Sequence, residues 1–118
     1  MMADDQVIIW NTRDPLDGKN PEQFELEAKR LLMGRVEAAY IFGSYGTKEF
    51  GHDSDVDMML VARTDKPFID RALDFTDLMD LVPDMDLLVY TPQEFEKLTT
   101  DPSPGFWASA VASMRRLV

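Results

Sequence analysis

Three short apolar runs, each closed by turn residues or acids, set the framework of this chain. They read as strands over about Val36 to Phe42, Val56 to Val61 and Met85 to Tyr90. Helical spacing fills the gaps. Asn20-Pro21-Glu22-Gln23 reads as a helix start, with Asn as N-cap, Pro at the first helical position and Gln at the third. Phe24, Ala28, Leu31 and Leu32 then share one face, and Gly34 is the expected stop. After a turn at Thr64-Asp65-Lys66-Pro67, the positions Phe68, Ala72, Phe75 and Met79 predict a second long helix ending near Val82-Pro83. Thr91-Pro92-Gln93-Glu94 is a full capping-box pattern for a short helix with Phe95 and Leu98 inward. Ser103-Pro104 opens a last helix with Trp107, Val111 and Met114 on one side.

The remaining segments are shorter. Ser44 to Phe50 is expected to form a short helix, and Gly51-His52-Asp53-Ser54 turns the chain back into the second strand. Val7-Ile8-Ile9-Trp10 suits an edge strand, and residues 1–6 suit a loose tail. The alternating order predicts an α/β (α+β) domain with a sheet of three to four strands flanked by helices. The short connection between the first two strands favours a mixed sheet over an all-parallel one.

At 118 residues the chain suits one domain, 1–118, with no room for a second full core. Hydrophobic residues make up 45%, enough for a globular core. No run reaches the roughly 18 apolar residues of a membrane span, and Met1-Met2-Ala3-Asp4-Asp5 lacks a basic segment followed by an apolar one. The absence of cysteine removes disulfide and thiolate-metal chemistry and is compatible with a cytoplasmic location. A net charge of −10 disfavours nucleic-acid backbone and anionic membrane as partners. The same charge opposes a polyanionic nucleotide unless divalent cations invert the local field.

Gly43-Ser44 closes the first strand, and ten residues later Asp55-Val56-Asp57 opens the second. Alternation puts Asp55 and Asp57 on one face, roughly 6.5 Å apart along the strand. Asp86 opens the third strand and joins them if the two strands are neighbours. Crowded carboxylates repel without a counter-ion, and an all-oxygen set selects Mg²⁺ or Mn²⁺ over Zn²⁺. A small-residue pair that admits close backbone approach, with carboxylates beside it, is what metal-assisted phosphoryl or nucleotidyl transfer requires. Asp84 shares parity with Asp86 but follows Pro83 in a turn, so Asp86 is preferred. Asp53 and His52 read as loop residues, with a phosphate contact the alternative for His52. Lys48 is the nearest cation for phosphate, Tyr45 and Thr47 are candidates to line a nucleotide pocket, and Trp107 is most simply core.

Phe42-Gly43-Ser44, ten residues and Asp55-Val56-Asp57 resemble the signature of the minimal nucleotidyltransferases of the polymerase-β-like superfamily. Ser54 before Asp55, and Asp86 before a Thr-Pro-x-Glu helix start, extend the likeness from about Asn20 to Leu98. The resemblance implies that Gly43 and Ser44 cradle the triphosphate of ATP. It implies that Asp55 and Asp57 hold two Mg²⁺ ions, with Asp86 completing one site and assisting deprotonation of the attacking hydroxyl. Members often carry an Arg just after the Gly-Ser pair. Tyr45 and Thr47-Lys48 stand here instead, and a lone Lys grips phosphate less well than an Arg fork.

With no second domain to hold an acceptor, the resemblance points to antitoxins that transfer AMP from ATP to a tyrosine of a HEPN-type toxin. Two alternatives stand beside this. One is a non-catalytic antitoxin that neutralises a basic partner by contact. The other is nucleotidylation of a small molecule such as an aminoglycoside, for which a homo-oligomer would have to supply the acceptor site.

Overall fold

The computed structural model describes residues 14–51, 54–100 and 106–118. Helix α1, Pro21–Leu32, starts as its N-terminal residues demand. Asn20 Oδ1 accepts from the Gln23 amide at 2.8 Å and Pro occupies the first turn. Phe24, Ala28 and Leu32 are fully buried on its inner face, and Gly34 takes the left-handed φ of +81° just beyond its end.

Strands β1 (Ala38–Phe42), β2 (Val56–Val61), β3 (Met85–Tyr90) and β4 (Arg115–Arg116) form one sheet in the order β3-β2-β1-β4. β1 pairs antiparallel with β2 and β4, whereas β2 and β3 run parallel. The link between β1 and β2 carries no helix and suits the antiparallel pairing, whereas the longer crossover to β3, with its helical segments, suits the parallel one. The sheet is therefore mixed.

Register sorts the side chains into two faces. Ala39, Ile41, Val56, Met58, Leu60 and Val89 point to one, where Phe24, Ala28 and Leu32 of α1 cover them with Phe75 and Leu78. Each such Leu, Met or Phe contributes roughly 1.5–3 kcal/mol on burial. Phe42, Met59 and Leu88 point to the other face, beneath helices α3 (Pro92–Thr100) and α4 (Phe106–Ser113). There the Tyr40 and Phe95 rings stack at 5.1 Å and Ala110 is buried. The capping box before α3 is complete: the Thr91 amide donates to Glu94 Oε1 at 2.9 Å, and the Glu94 amide to Thr91 Oγ1 at 3.3 Å.

Two expectations need correction. Ser44–Phe50 forms successive turns in place of a helix. Gly43 and Gly46 adopt φ of +75° and +80°, and left-handed residues at both positions interrupt a helical hydrogen-bond ladder. The long helix expected from Phe68 is a 3-10 segment over Phe68–Phe75 followed by the single-turn helix α2, Thr76–Met79. Arg71 and Phe75 of the 3-10 segment and Leu78 of α2 are buried, Ala72 and Met79 are half-buried, and Phe68 is 45% exposed, so the expected apolar face turns inward except at its first residue. The fourth strand comes from Arg115–Arg116, a pair with no strand-like periodicity. Its charges guard the sheet edge. Residues 1–6, Val7–Trp10, His52, Asp53 and the Ser103-Pro104 helix start lie outside the described residues, as does the side chain of Trp107.

Candidate active site

Asp57 stands directly opposite Asp86 in the parallel β2/β3 register, and opposite Phe42 in the antiparallel β1/β2 register. Both acids therefore sit where β2 and β3 begin and β1 ends. Continuing the β2/β3 register two residues back brings Asp84 across from Asp55. There the Asp84 carbonyl accepts from the Val56 amide at 3.2 Å.

Burial is the largest influence on Asp57, followed by the charge of Asp86, a side-chain hydrogen bond with Asp86 and the charge of Asp55. Together they push its carboxyl up to about 6 from the ordinary 3.8. The Asp57 carboxyl therefore keeps its proton to higher pH than an ordinary carboxyl when no cation is near.

Gly43 follows β1 immediately, and a Cβ at this position would overlap Asp57 Oδ2. The backbone passes against the acid because no side chain intervenes. The Gly43 amide donates to Ser113 Oγ at 3.3 Å, and Ser113 Oγ donates to the Ala110 carbonyl at 3.3 Å. The end of α4 thus touches the Gly-Ser turn. Ser44 lies in that turn half-buried, and its carbonyl accepts from Thr47 Oγ1 at 2.6 Å. Lys48 is exposed further along it.

Tyr45 does not line this region. Its ring packs inward against Phe24 at 6.0 Å and Phe50 at 5.4 Å, and its hydroxyl donates to Glu25 Oε2 at 2.8 Å. Arg115 Nη2 meets the same Glu25 oxygen at 2.7 Å. Burial first, then the Glu25 hydrogen bond and charge, push the Tyr45 hydroxyl well above its usual range. This network braces the Gly43–Phe50 turn against α1 and β4. Sequence spacing gives no sign of it, because Glu25, Tyr45 and Arg115 come from three distant segments.

The donors fit a hard divalent cation in kind: oxygen ligands only, mutual repulsion in their absence, and a glycine that leaves room beside them. Among the described residues, no group of three or more acids or histidines is drawn together tightly enough to hold an ion as it stands. Asp57 and Asp86 form the assembled pair, with Asp55 in electrostatic reach of it. A separate cavity of about 280 Å³, lined in part by Arg35, Arg63 and Arg71, opens elsewhere. Its guanidinium groups are paired with Asp77, Glu37 and Glu94.

Residues 27–101 match the family described as Polymerase beta, Nucleotidyltransferase. The crystal structure of a "putative nucleotidyltransferase" from Sulfolobus solfataricus is similar at 20% identity, with a TM-score of 0.45 over 68% of this chain and 83% of that one. No curated protein matches the sequence. Among the described residues, no helix is long and apolar enough to cross a membrane.

Proposed function

This chain belongs to the polymerase beta nucleotidyltransferase family, and we propose that it transfers AMP from ATP to a tyrosine hydroxyl of a HEPN-type toxin, acting as an antitoxin. The observation that carries the reading is the pairing of Asp57 with Asp86 across β2 and β3, with Gly43 pressed against Asp57. Gly43 and Ser44 let the backbone approach the triphosphate, and Lys48 offers it a positive charge. Asp55, Asp57 and Asp86 are the residues that would hold Mg²⁺ or Mn²⁺. Bound there, divalent cation neutralises the triphosphate and the charge that develops on its leaving oxygens. Asp86 takes the proton of the incoming tyrosine hydroxyl. The tyrosine oxygen bonds to the α-phosphorus, the bond from that phosphorus to the bridging oxygen breaks, and pyrophosphate departs with the electron pair.

The test is label transfer from ATP carrying its label in the α-phosphate to purified HEPN toxin. Transfer should vanish in Asp55→Ala and in Asp57→Ala. Transfer surviving both substitutions would sink the proposal.

A second reading is a non-catalytic antitoxin that works by contact. What favours it is the turn after Gly43: Tyr45 is turned inward to Glu25 and the Gly43 amide is taken up by Ser113. Under that reading the Asp55→Ala/Asp57→Ala protein still neutralises the toxin.

A further inference from the structure

The Phe68–Phe75 3-10 segment presents an apolar ridge to solvent. Ile69 is 84% exposed, Leu73 66% and Phe68 45%. Three large apolar side chains this exposed within six residues are unusual on a free surface, where patches of this kind mark interaction sites. The chain had other choices here, since the same segment buries Arg71 while leaving Ile69 outside.

The charge around the ridge narrows what can cover it. Between Thr64 and Asp80 stand five acids, Asp65, Asp70, Asp74, Asp77 and Asp80, against two bases. Lys66 pairs with Asp74, Arg71 with Glu94 and Arg35 with Asp77, so the acidic surplus rests on Asp65, Asp70 and Asp80. Asp65 and Asp70 are exposed at the two ends of Phe68-Ile69. An acidic rim on a chain of net charge −10 repels a second copy of itself, nucleic acid and anionic membrane alike. A cationic protein surface with apolar side chains at its centre satisfies both the ridge and the rim.

Position connects the ridge to the acid pair. Phe68 packs on Tyr90 with ring centroids 5.2 Å apart. Tyr90 ends β3 four residues beyond Asp86 and on the same face, so the two lie roughly 13 Å apart at about 3.3 Å per residue. We propose that Phe68, Ile69 and Leu73, with Asp65 and Asp70, form the docking surface for a basic acceptor protein whose reactive hydroxyl is presented at the Asp57–Asp86 end of the sheet. This rests on the reading that the acceptor is a protein. It adds the surface that selects it.

The test uses purified HEPN toxin as probe and isothermal titration as readout. Ile69→Glu/Leu73→Glu should weaken binding roughly 10- to 100-fold, as loss of central apolar anchors does. Asp65→Lys/Asp70→Lys should weaken it and flatten its salt dependence. Met33→Glu, at a residue 72% exposed and outside the Thr64–Asp80 stretch of sequence, should stay within about twofold of wild type. Circular dichroism melting confirms that each variant is folded. Wild-type affinity in the ridge variant overturns the proposal, as does an equal loss in Met33→Glu or a toxin that does not bind wild type. A wild-type dimer that the ridge variant alone dissociates also overturns it, by assigning the ridge to a second copy. Mg²⁺-dependent ATP binding, measured on the same ridge variant, reports on the nucleotide site separately. Failure of docking with ATP binding intact leaves the transferase reading standing, and loss of ATP binding by wild type defeats that reading whatever the ridge does.

Discussion

The backbone of Gly43 lies against the carboxylate of Asp57, in space that any larger residue would fill with its own Cβ. Position 43 also holds a φ of +75°, which costs an L-residue roughly 1–2 kcal/mol. Gly43→Ala should therefore lower stability by at least that order and displace the Asp57 carboxylate. The measurements are thermal melting and titration with ATP and Mg²⁺. A Gly43→Ala protein with wild-type ATP affinity would show that the close approach serves no ligand.

Asp57 carries a penalty when no cation is present. Its carboxyl is raised to about 6 against the ordinary 3.8. A raised folded-state value means that its contribution to stability is full below the ordinary value and is lost as pH rises through about 6. Asp57→Asn removes that loss while keeping the shape. In chelator at pH 7 the variant should melt above wild type, by on the order of 1 kcal/mol after solvent screening. The gap should close as the pH is lowered toward 4, roughly the ordinary carboxyl value. Melting curves across this range decide it, and a variant less stable than wild type at pH 7 contradicts the account.

Among the described residues, Arg71 is the buried cation. Its Nε donates to the Lys66 carbonyl at 2.9 Å, and its Nη1 to the Val89 carbonyl at 3.1 Å and to Glu94 Oε1 at 2.6 Å. Arg71→Ala strands these acceptors and should cost about 2 kcal/mol or more, and Arg71→Lys should not restore it, lacking the fork. Denaturant unfolding measures both.

Glu94 answers to Arg71 and to the Thr91 cap together, and the Arg71 hydrogen bond is the larger influence holding its carboxyl below the usual range. A depressed value contributes stability above the ordinary pKa, and that stability is lost as pH falls below it. Glu94→Gln should therefore flatten the loss of stability on acidification between about pH 5 and 3. An unchanged slope in melting temperature against pH would contradict the pairing.

What the amino-acid order reveals here is what local chemistry decides. Asn20 and Pro21 start α1, Thr91 and Glu94 start α3, and the runs Val56–Val61 and Met85–Tyr90 are strands to the residue, because caps and strand alternation act within a few positions. The facing of Asp57 and Asp86 was only conditional in the sequence, since the neighbour relation of β2 and β3 is a property of the assembled sheet. The Phe68–Met79 segment misled for a related reason. Its apolar spacing fits a helix, but the pairing of Arg71 with Glu94, far along the chain, turns a charged side chain inward and Ile69 outward. The Ser113 contact to Gly43 and the Glu25–Tyr45–Arg115 network join residues too remote in sequence for any spacing rule.

The central claim is a cation-dependent nucleotide site at Asp57 and Asp86. Isothermal titration of ATP, with and without Mg²⁺, into wild type and into Asp57→Ala tests it most directly. Wild type should bind only when Mg²⁺ is present, and Asp57→Ala should bind under neither condition. Binding that Asp57→Ala retains, or that wild type shows equally in chelator, would contradict it.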